Sequence, residues 1–265
     1  TGSSAGIGKA AAELLVNAGV IVYGASRSGG EAYDNKTSGG KYIPVKMDVT
    51  IETDINTTVE KIIADYGKID AVIANAGNGI AGSVEDTSIE EVRFQFETNY
   101  FGVLKTINAC LPVFRAQGYG KIITVSSLAG IIPIPFQTFY SSVKAAIIMY
   151  MHGLSMEVKP FGIQCSTILP GDTKTDFTKN RIYTKAAQNE KSVYYDTMKK
   201  SVACMEKDEQ NGMSPYSVAK HIVKQVLNKN VQTIYVTGFF NKIFYHLFNI
   251  LPINFKLMII SKLYA

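Results

Sequence analysis

The sequence predicts one α/β domain, a parallel β-sheet whose strands are joined by crossover helices. Three observations carry that prediction. Short apolar runs alternate with segments of helical period along most of the chain. The 265 residues, 46% of them hydrophobic, suffice for one large core, and neither a long Ser/Pro/Gly linker nor an internal repeat divides them. A glycine-rich turn stands at the head of the first helical segment.

The elements follow in order. "GIGKAAAELLVNAG" reads as a helix that Gly19 ends, and "VIVYGAS" as a buried strand rich in β-branched residues. "KYIPVKMDV" is a strand, "IETDINTTVEKIIADYG" a helix, and "IDAVIANAG" a strand with its turn. "EEVRFQFETNYFGVLKTINACLPVF" supplies long helical material, "GKIITVSS" a strand, "TFYSSVKAAIIMYMHGLSMEVKPFG" a helix, and "IQCSTILPG" a strand closed by Pro-Gly. The polar stretch 172–213 carries no strand signal, and so long an excursion in a compact domain is usually functional, so we expect a substrate lid. "SPYSVAKHIVKQVLNKN" returns as a helix with Ser214 at its N-cap and Pro215 in its first turn, and "VQTIYVTG" is the last strand.

Both ends raise questions. A phosphate loop of this type hangs from a central strand, yet none stands ahead of the glycine turn, so we expect natural residues before Thr1. Beyond residue 238, Phe240, Ile243, Phe244, Leu247, Phe248 and Leu251 recur at helical spacing, Pro252 breaks the pattern, and a second apolar segment follows. Residues 239–265 thus form an apolar helical extension with three readings: core or dimer contact, an amphipathic element on a membrane surface, or a cover over the substrate.

Composition excludes several classes of function. The formal charge is +5, of which Lys242, Lys256 and Lys262 supply three, in a tail free of Asp and Glu; the rest is near +2. No basic stripe marks a nucleic-acid binder. Cys110, Cys165 and Cys204 are too scattered for a disulfide framework or a zinc site, which suits reduced cytosol and calls for no metal. No signal segment and no uninterrupted apolar run of membrane-spanning length appears.

Several short motifs carry chemistry. "TGSSAGIG" places Gly2, Gly6 and Gly8, with Ser4 and Ile7 between them, where backbone N–H groups can approach a pyrophosphate at a helix N-terminus; a merely flexible loop is the alternative. "VYGASR" ends a strand where a carboxylate would choose NAD. Ser26 and Arg27 stand there instead, a pair suited to a 2′-phosphate, which favours NADP(H); an ordinary surface arginine is the alternative. In "MDV", Asp48 beside Val49 can accept from an adenine amino group or simply cap a turn. "NAG", Asn75, Ala76 and Gly77, offers an amide able to tie backbone segments together.

Tyr140 and Lys144 stand four residues apart on one helix face, about 5–6 Å between Cβ atoms. A phenol titrates near pKa ~10 until a positive neighbour lowers it, so Lys144 is expected to lower Tyr140, and Ser127, thirteen residues earlier, to orient a substrate oxygen.

Taken together, "TGSSAGIG", "NAG", Asn99 in "ETNYFG", Ser127, "YSSVK" and "LPG" resemble the short-chain dehydrogenase/reductase family over residues 1–238. The resemblance implies a Rossmann-like, doubly wound sheet of seven parallel strands in a three-layer αβα sandwich, binding a nicotinamide cofactor across its strand ends. It implies Tyr140 as acid–base, Lys144 lowering its pKa and holding the nicotinamide ribose, Ser127 polarising the carbonyl, and Asn99 holding a relay water. Pro170 and Gly171 would shape the nicotinamide pocket, with Thr173 or Thr175 reaching its carboxamide. Arg27 matches the NADP-preferring pattern.

The stretch from "NAGNGIAGSVEDTSIEE" onward looks more like the hydroxysteroid and retinol dehydrogenase branch, and Ile132, Ile134, Phe136 and Phe139 are expected to wall an apolar pocket. The tail departs from the acyl-carrier branch, whose short glycine-rich ending builds a tetramer. The expectation is therefore an NADP(H)-dependent oxidoreductase interconverting a ketone or aldehyde and an alcohol on a hydrophobic, steroid- or lipid-like substrate, a carbonyl reductase or hydroxysteroid dehydrogenase in type, and a cytoplasmic homodimer with membrane contact through 239–265 as one reading. A 3-oxoacyl thioester reductase and a non-catalytic NADP-binding regulator or membrane-surface scaffold are the alternatives.

Overall fold

A computed structural model describes residues 1–264. Six parallel strands form the sheet: β1 (Ile21–Ser26), β3 (Lys41–Lys46), β4 (Ala71–Ala74), β6 (Gly120–Val125), β7 (Ile163–Leu169) and β9 (Ile234–Val236). They lie in two hydrogen-bonded ladders, β1–β3 and β4–β6–β7–β9, and a two-residue strand, β2 (Tyr33–Asp34), pairs antiparallel with the outer edge of β3. The glycine-rich segment runs between the ladders. Thr1 N donates to Ile73 O at 2.8 Å on one side, and Ser3 N donates to Ala25 O at 3.2 Å on the other.

Helices cover both faces. Neighbouring residues of β6 show how: in an extended strand successive side chains point to opposite faces, and Ile122 and Ile123 both have no exposed surface. Ile122 packs with Phe114, Ile147 and Met151, contributed by α4 (Gly102–Gln117) and α5 (Thr138–Val158). Ile123 packs with Ala10, Ala11, Ala219 and Ile222, from α1 (Gly6–Asn17) and α7 (Pro215–Leu227). A continuous apolar strand between two helical layers is what a parallel sheet requires, because crossover helices leave neither face to water. The helix α2 (Glu52–Tyr66) flanks α4 and ends in left-handed Gly67.

The long helical stretch before β6 is interrupted. The helix α3 (Ile89–Phe96) starts from a capping box in which Ser88 and Glu91 satisfy each other's backbone N–H groups. One π-helical turn, Glu97–Phe101, then separates it from α4 and carries Asn99. Such π-turns are rare and concentrate at functional sites.

The 172–213 segment corrects the sequence reading. It contains a short strand, β8 (Ile182–Tyr183), paired parallel with β5 (Ile80–Ala81), and the helix α6 (Tyr195–Gln210). Two-residue strands leave no periodic trace in sequence, which is why the segment reads as strandless. It is fastened to the body: Lys185 N donates to Glu91 Oε1 at 2.9 Å, Ser192 Oγ to Asp86 Oδ2 at 2.6 Å, and Tyr194 OH to Glu85 Oε2 at 2.9 Å. Ser214 caps α7 through Ser217 N, as its position suggests. The tail forms α8 (Phe239–Ile250) and α9 (Ile253–Tyr264) on either side of Pro252. No helix among the described residues is long and apolar enough to cross a membrane.

Candidate active site

A cavity of about 1120 Å³ opens along the C-terminal ends of the parallel strands, the place where open α/β sheets hold ligands. One end is the glycine-rich loop. Gly2 and Gly6 take positive φ, and α1 begins at Ala5 without a side-chain cap or an acidic residue in its first turn. Its leading N–H groups are therefore left for an anion. Gly8 does not face the cavity. A Cβ there would stand 2.2 Å from Gly2 O, so Gly8 lets the loop fold back onto its helix. Asn75 fixes the same loop from β4, its Nδ2 donating to Thr1 O at 3.0 Å and Gly2 O at 3.4 Å.

Ser4, Ile7, Ser26, Arg27, Asp48, Val49, Ala76 and Gly77 line this end as the motifs suggest. Their engagements differ. Arg27 is exposed, and no salt bridge holds it among the described residues. Ser26 Oγ already donates to Gly29 O at 2.9 Å, leaving it as an acceptor. Asp48 caps a turn, its Oδ1 accepting from Thr50 N and Thr50 Oγ1 at 2.9 and 2.8 Å, so the plainer of its two readings is realised while the residue still faces the cavity. These residues and the uncapped helix end fit a nicotinamide dinucleotide.

Midway along the cavity, α5 brings Tyr140 and Lys144 beside Ser127, which follows β6, and Asn99. Lys144 Nζ donates to Val125 O at 3.0 Å and lies 5.6 Å from the centre of the Tyr140 ring. Asn99 Nδ2 donates to Gln95 O, Asn78 O and Asn78 Oδ1, all within 3.1 Å, whereas its Oδ1 is buried with no partner. That orphaned oxygen borders Gly77, where a Cβ would come within 2.6 Å of it and 3.8 Å of Lys144 Nζ. A buried unpaired acceptor costs about 1–3 kcal/mol, so the geometry invites a bridging donor between Asn99 and Lys144.

The electrostatics correct one expectation. Burial drives Tyr140 up to about 12, against the opposing Ser127 hydroxyl, rather than down. Burial likewise lowers Lys144 to about 8. Desolvation disfavours whichever form is charged, and burial is the largest influence on both groups. Tyr140 therefore stands as a neutral proton donor at physiological pH.

At the far end, expected to take the substrate, sequence reasoning misses most of the lining. Pro170, Gly171, Thr173 and Thr175 face the cavity as expected. Thr173 Oγ1 donates to Gly171 O, and Thr175 stands over Gly6. Ile132 and Ile134 contribute to the wall, but Phe136 and Phe139 do not. Phe136, at φ 60°, turns instead into a cluster with Ala81, Ala187 and Met198, and Gly82 N donates to its carbonyl. In place of those two rings stand Phe177, whose ring centre is 5.4 Å from that of Tyr140, and Asn241, Phe244, Ile260, Leu263 and Tyr264 from α8 and α9. Only the apolar repeat of the tail hinted at these last residues. Of its three readings, contact with the body and cover over the cavity are realised together.

Among the described residues no group of three His, Cys, Asp or Glu is placed to hold a metal ion. A neutral phenol beside a dinucleotide cleft is the equipment of an oxidoreductase working with a nicotinamide cofactor. The chain matches the short chain dehydrogenase family over residues 1–186 and belongs to that family. It is 42% identical over 231 residues, 87% of this chain and 83% of the relative, to a 3-ketodihydrosphingosine reductase of Bacteroides thetaiotaomicron. It is 30% identical over 267 residues, 99% of this chain and 97% of the relative, to the probable short-chain type dehydrogenase/reductase VdlC of Helicobacter pylori. A solved short-chain dehydrogenase from Streptomyces avermitilis superposes with a TM-score of 0.78 at 25% identity, covering 98% of this chain and 94% of that one. As a family member the chain is an oxidoreductase acting on a carbonyl/alcohol pair of a small molecule with a nicotinamide cofactor.

Proposed function

We propose that the chain reduces the ketone of a long-chain, lipid-like substrate with NADPH. The observation that carries this reading is the neutral phenol of Tyr140 facing a cavity whose far wall is built from Phe177, Phe244, Ile260 and Leu263. The similarity to a 3-ketodihydrosphingosine reductase across most of both chains supports a lipid ketone over a steroid or an acyl thioester. NADPH over NADH is supported by an unpaired Arg27 at the adenosine end, with no carboxylate in "VYGASR".

When bound, the nicotinamide cofactor would supply a hydride to the carbonyl carbon. Ser127 Oγ and the Tyr140 hydroxyl bind the carbonyl oxygen, and Tyr140 donates its proton as negative charge develops there. Lys144 would hold the nicotinamide ribose and, with a donor bridged to Asn99 Oδ1, would return a proton to the phenolate. An intact proton donor beside the cleft argues against a non-catalytic regulator, which has no use for one.

Peripheral membrane contact forms a second reading. On α8 the exposed residues Phe239, Phe240, Ile243, Leu247 and Ile250 fall on one arc of the helix, opposite buried Phe248. The tail offers lysines but no acid to balance them, which suits anionic headgroups. A homodimer belongs to the same proposal, supported by exposed Met149 and Met156 on α5, as does a reducing, cytosolic setting for three free cysteines.

The test is nicotinamide absorbance with NADPH and NADH against long-chain 3-ketones, steroid ketones and oxoacyl thioesters. Turnover confined to NADPH and long-chain ketones is expected. Equal use of NADH, or a preference for steroids or thioesters, would overturn the corresponding part of the reading.

A further inference from the structure

Arg181 is a charge sealed inside the protein. Its side chain has no exposed surface, and it does not line the cavity, although Gln137, Phe177 and Glu209 around it do. It stands one residue before β8, within the 172–213 segment. On α6 of the same segment, Glu209 accepts from its Nη2, and Glu206 Oε1 lies 3.4 Å from its Nη1. Both carboxylates are themselves held, Thr178 Oγ1 donating to Glu209 Oε2 at 2.6 Å and Tyr183 OH to Glu206 Oε1 at 3.0 Å.

The rest of the guanidinium reaches out of the segment. A guanidinium only donates, so the buried Gln137 amide turns its oxygen toward it and accepts from Nε at 2.7 Å and from Nη2 at 3.0 Å. Gln137 is the residue from which α5 starts, its carbonyl accepting from Ser141 N at 2.9 Å, and Tyr140 follows in that first turn. A second route runs through Phe177, whose ring centre is 5.8 Å from the Arg181 guanidinium and 5.4 Å from the centre of the Tyr140 ring. That ring fits because residue 79 is glycine: a Cβ there would come within 2.5 Å of it. The charge is felt at the phenol too, where burial pushes Tyr140 up and Arg181 draws it down.

A buried ion pair is a weak source of stability, since apolar side chains of the same volume often do as well. What a planar fork of five N–H groups provides is direction. We propose that Arg181 is a positioning residue for the reaction: bonded to Glu206, Glu209 and Gln137 at once, it clasps the 172–213 segment to the first turn of α5 and, with Phe177, holds the Tyr140 phenol in its proton-donating pose. The inference rests on the reading of Tyr140 as the proton donor. Its consequence is that the seated segment is a condition of turnover as well as a wall for the substrate.

Two measurements on the full chain test this. Gln137→Leu cuts the link to α5 and leaves both carboxylate contacts of Arg181 in place; Arg181→Lys keeps the charge without the fork. The first measurement is kcat at saturating NADPH, with the fastest ketone of the long-chain, steroid and thioester panel. Both variants are expected to lose about 10- to 100-fold in kcat with KM for NADPH little altered, and Gln137→Glu, which restores an acceptor, to recover most of the loss. In a Tyr140→Phe background the same substitutions should cost nothing further, because they act through the phenol. Unchanged kcat in either variant, or a loss of the same size without the phenol, overturns the inference; Gln137→Leu carries the test alone if Arg181→Lys fails to fold.

The second measurement is amide hydrogen exchange over 138–142 and 172–213. Gln137→Leu should speed exchange in both segments together, and acceleration in neither, or in one alone, sinks the clasp. If no ketone of the panel reacts while exchange rises in both segments, the reductase reading falls and the clasp stands.

Discussion

The two ends of the cavity are built by different means. At the cofactor end the functional groups sit at strand termini, in the turns after them or, for Lys144, on α5, and neighbouring backbone holds them: Lys144 on Val125 O, Asn75 on Thr1 and Gly2, Asp48 on Thr50. At the substrate end the lining is assembled from pieces with no shared strand. Phe177 reaches Tyr140, Asn241 presses on Gly171, and Tyr264 packs beside Met198 and Val202. The first construction is rigid because the sheet determines it. The second is as specific as the side chains that compose it, and the same fold accommodates a different substrate when they change.

Four changes would break or sharpen that contrast. The largest effect is expected at the junction of the two ends. Tyr140→Phe removes the proton donor and nothing else of size, so kcat should fall about 100- to 10,000-fold with the fold intact; near-normal turnover would take Tyr140 out of the chemistry. Next comes Arg27→Ala. Loss of a charge-assisted contact should cost about 10- to 100-fold in preference for NADPH over NADH, read from the ratio of kcat/KM values, and an unaltered ratio would assign 2′-phosphate recognition elsewhere.

A smaller and purely interfacial effect is expected on α8. Truncating 239–265 would also unroof the cavity, since Phe244 and Ile260 line it. The cleaner variant is Phe240→Asp with Leu247→Asp, both on the exposed arc. Flotation with vesicles containing phosphatidylserine should be lost while turnover of a soluble ketone is kept; flotation that persists would point to some other contact.

The smallest effect is on stability. Asp172 titrates near 6 in the fold against 3.8 as a free side chain. A carboxyl whose folded pKa is raised costs stability when ionised, so the penalty is full above pH 6 and absent below pH 4. Asp172→Asn should raise Tm at pH 7.5 by no more than about 2–4 °C, the residue being open to solvent, and should leave it unchanged at pH 4. A gain at pH 4 would give the substitution another cause.

The α/β class, the order of elements, the glycine loop and the set Ser127, Tyr140 and Lys144 were legible because each is written in local period or fixed spacing. Helical period places Lys144 over Tyr140 without knowledge of any other element. The likeness to a family added Asn99, whose π-turn no periodicity announces. Three things were decided only in three dimensions. Tyr140 rises rather than falls because the depth of burial of a pair is a property of everything packed around it. Phe136 leaves the cavity because its backbone turns to positive φ against Gly82 and the Met198 cluster. Asp172, Phe177 and Asn241 join the substrate end through contacts between segments with no common repeat. Sequence alone determined which groups ride on the sheet, since hydrogen-bonded strands fix their neighbours from local pattern; folding decided how dry the site is and what closes it, since burial and long-range contact belong to no single stretch of chain.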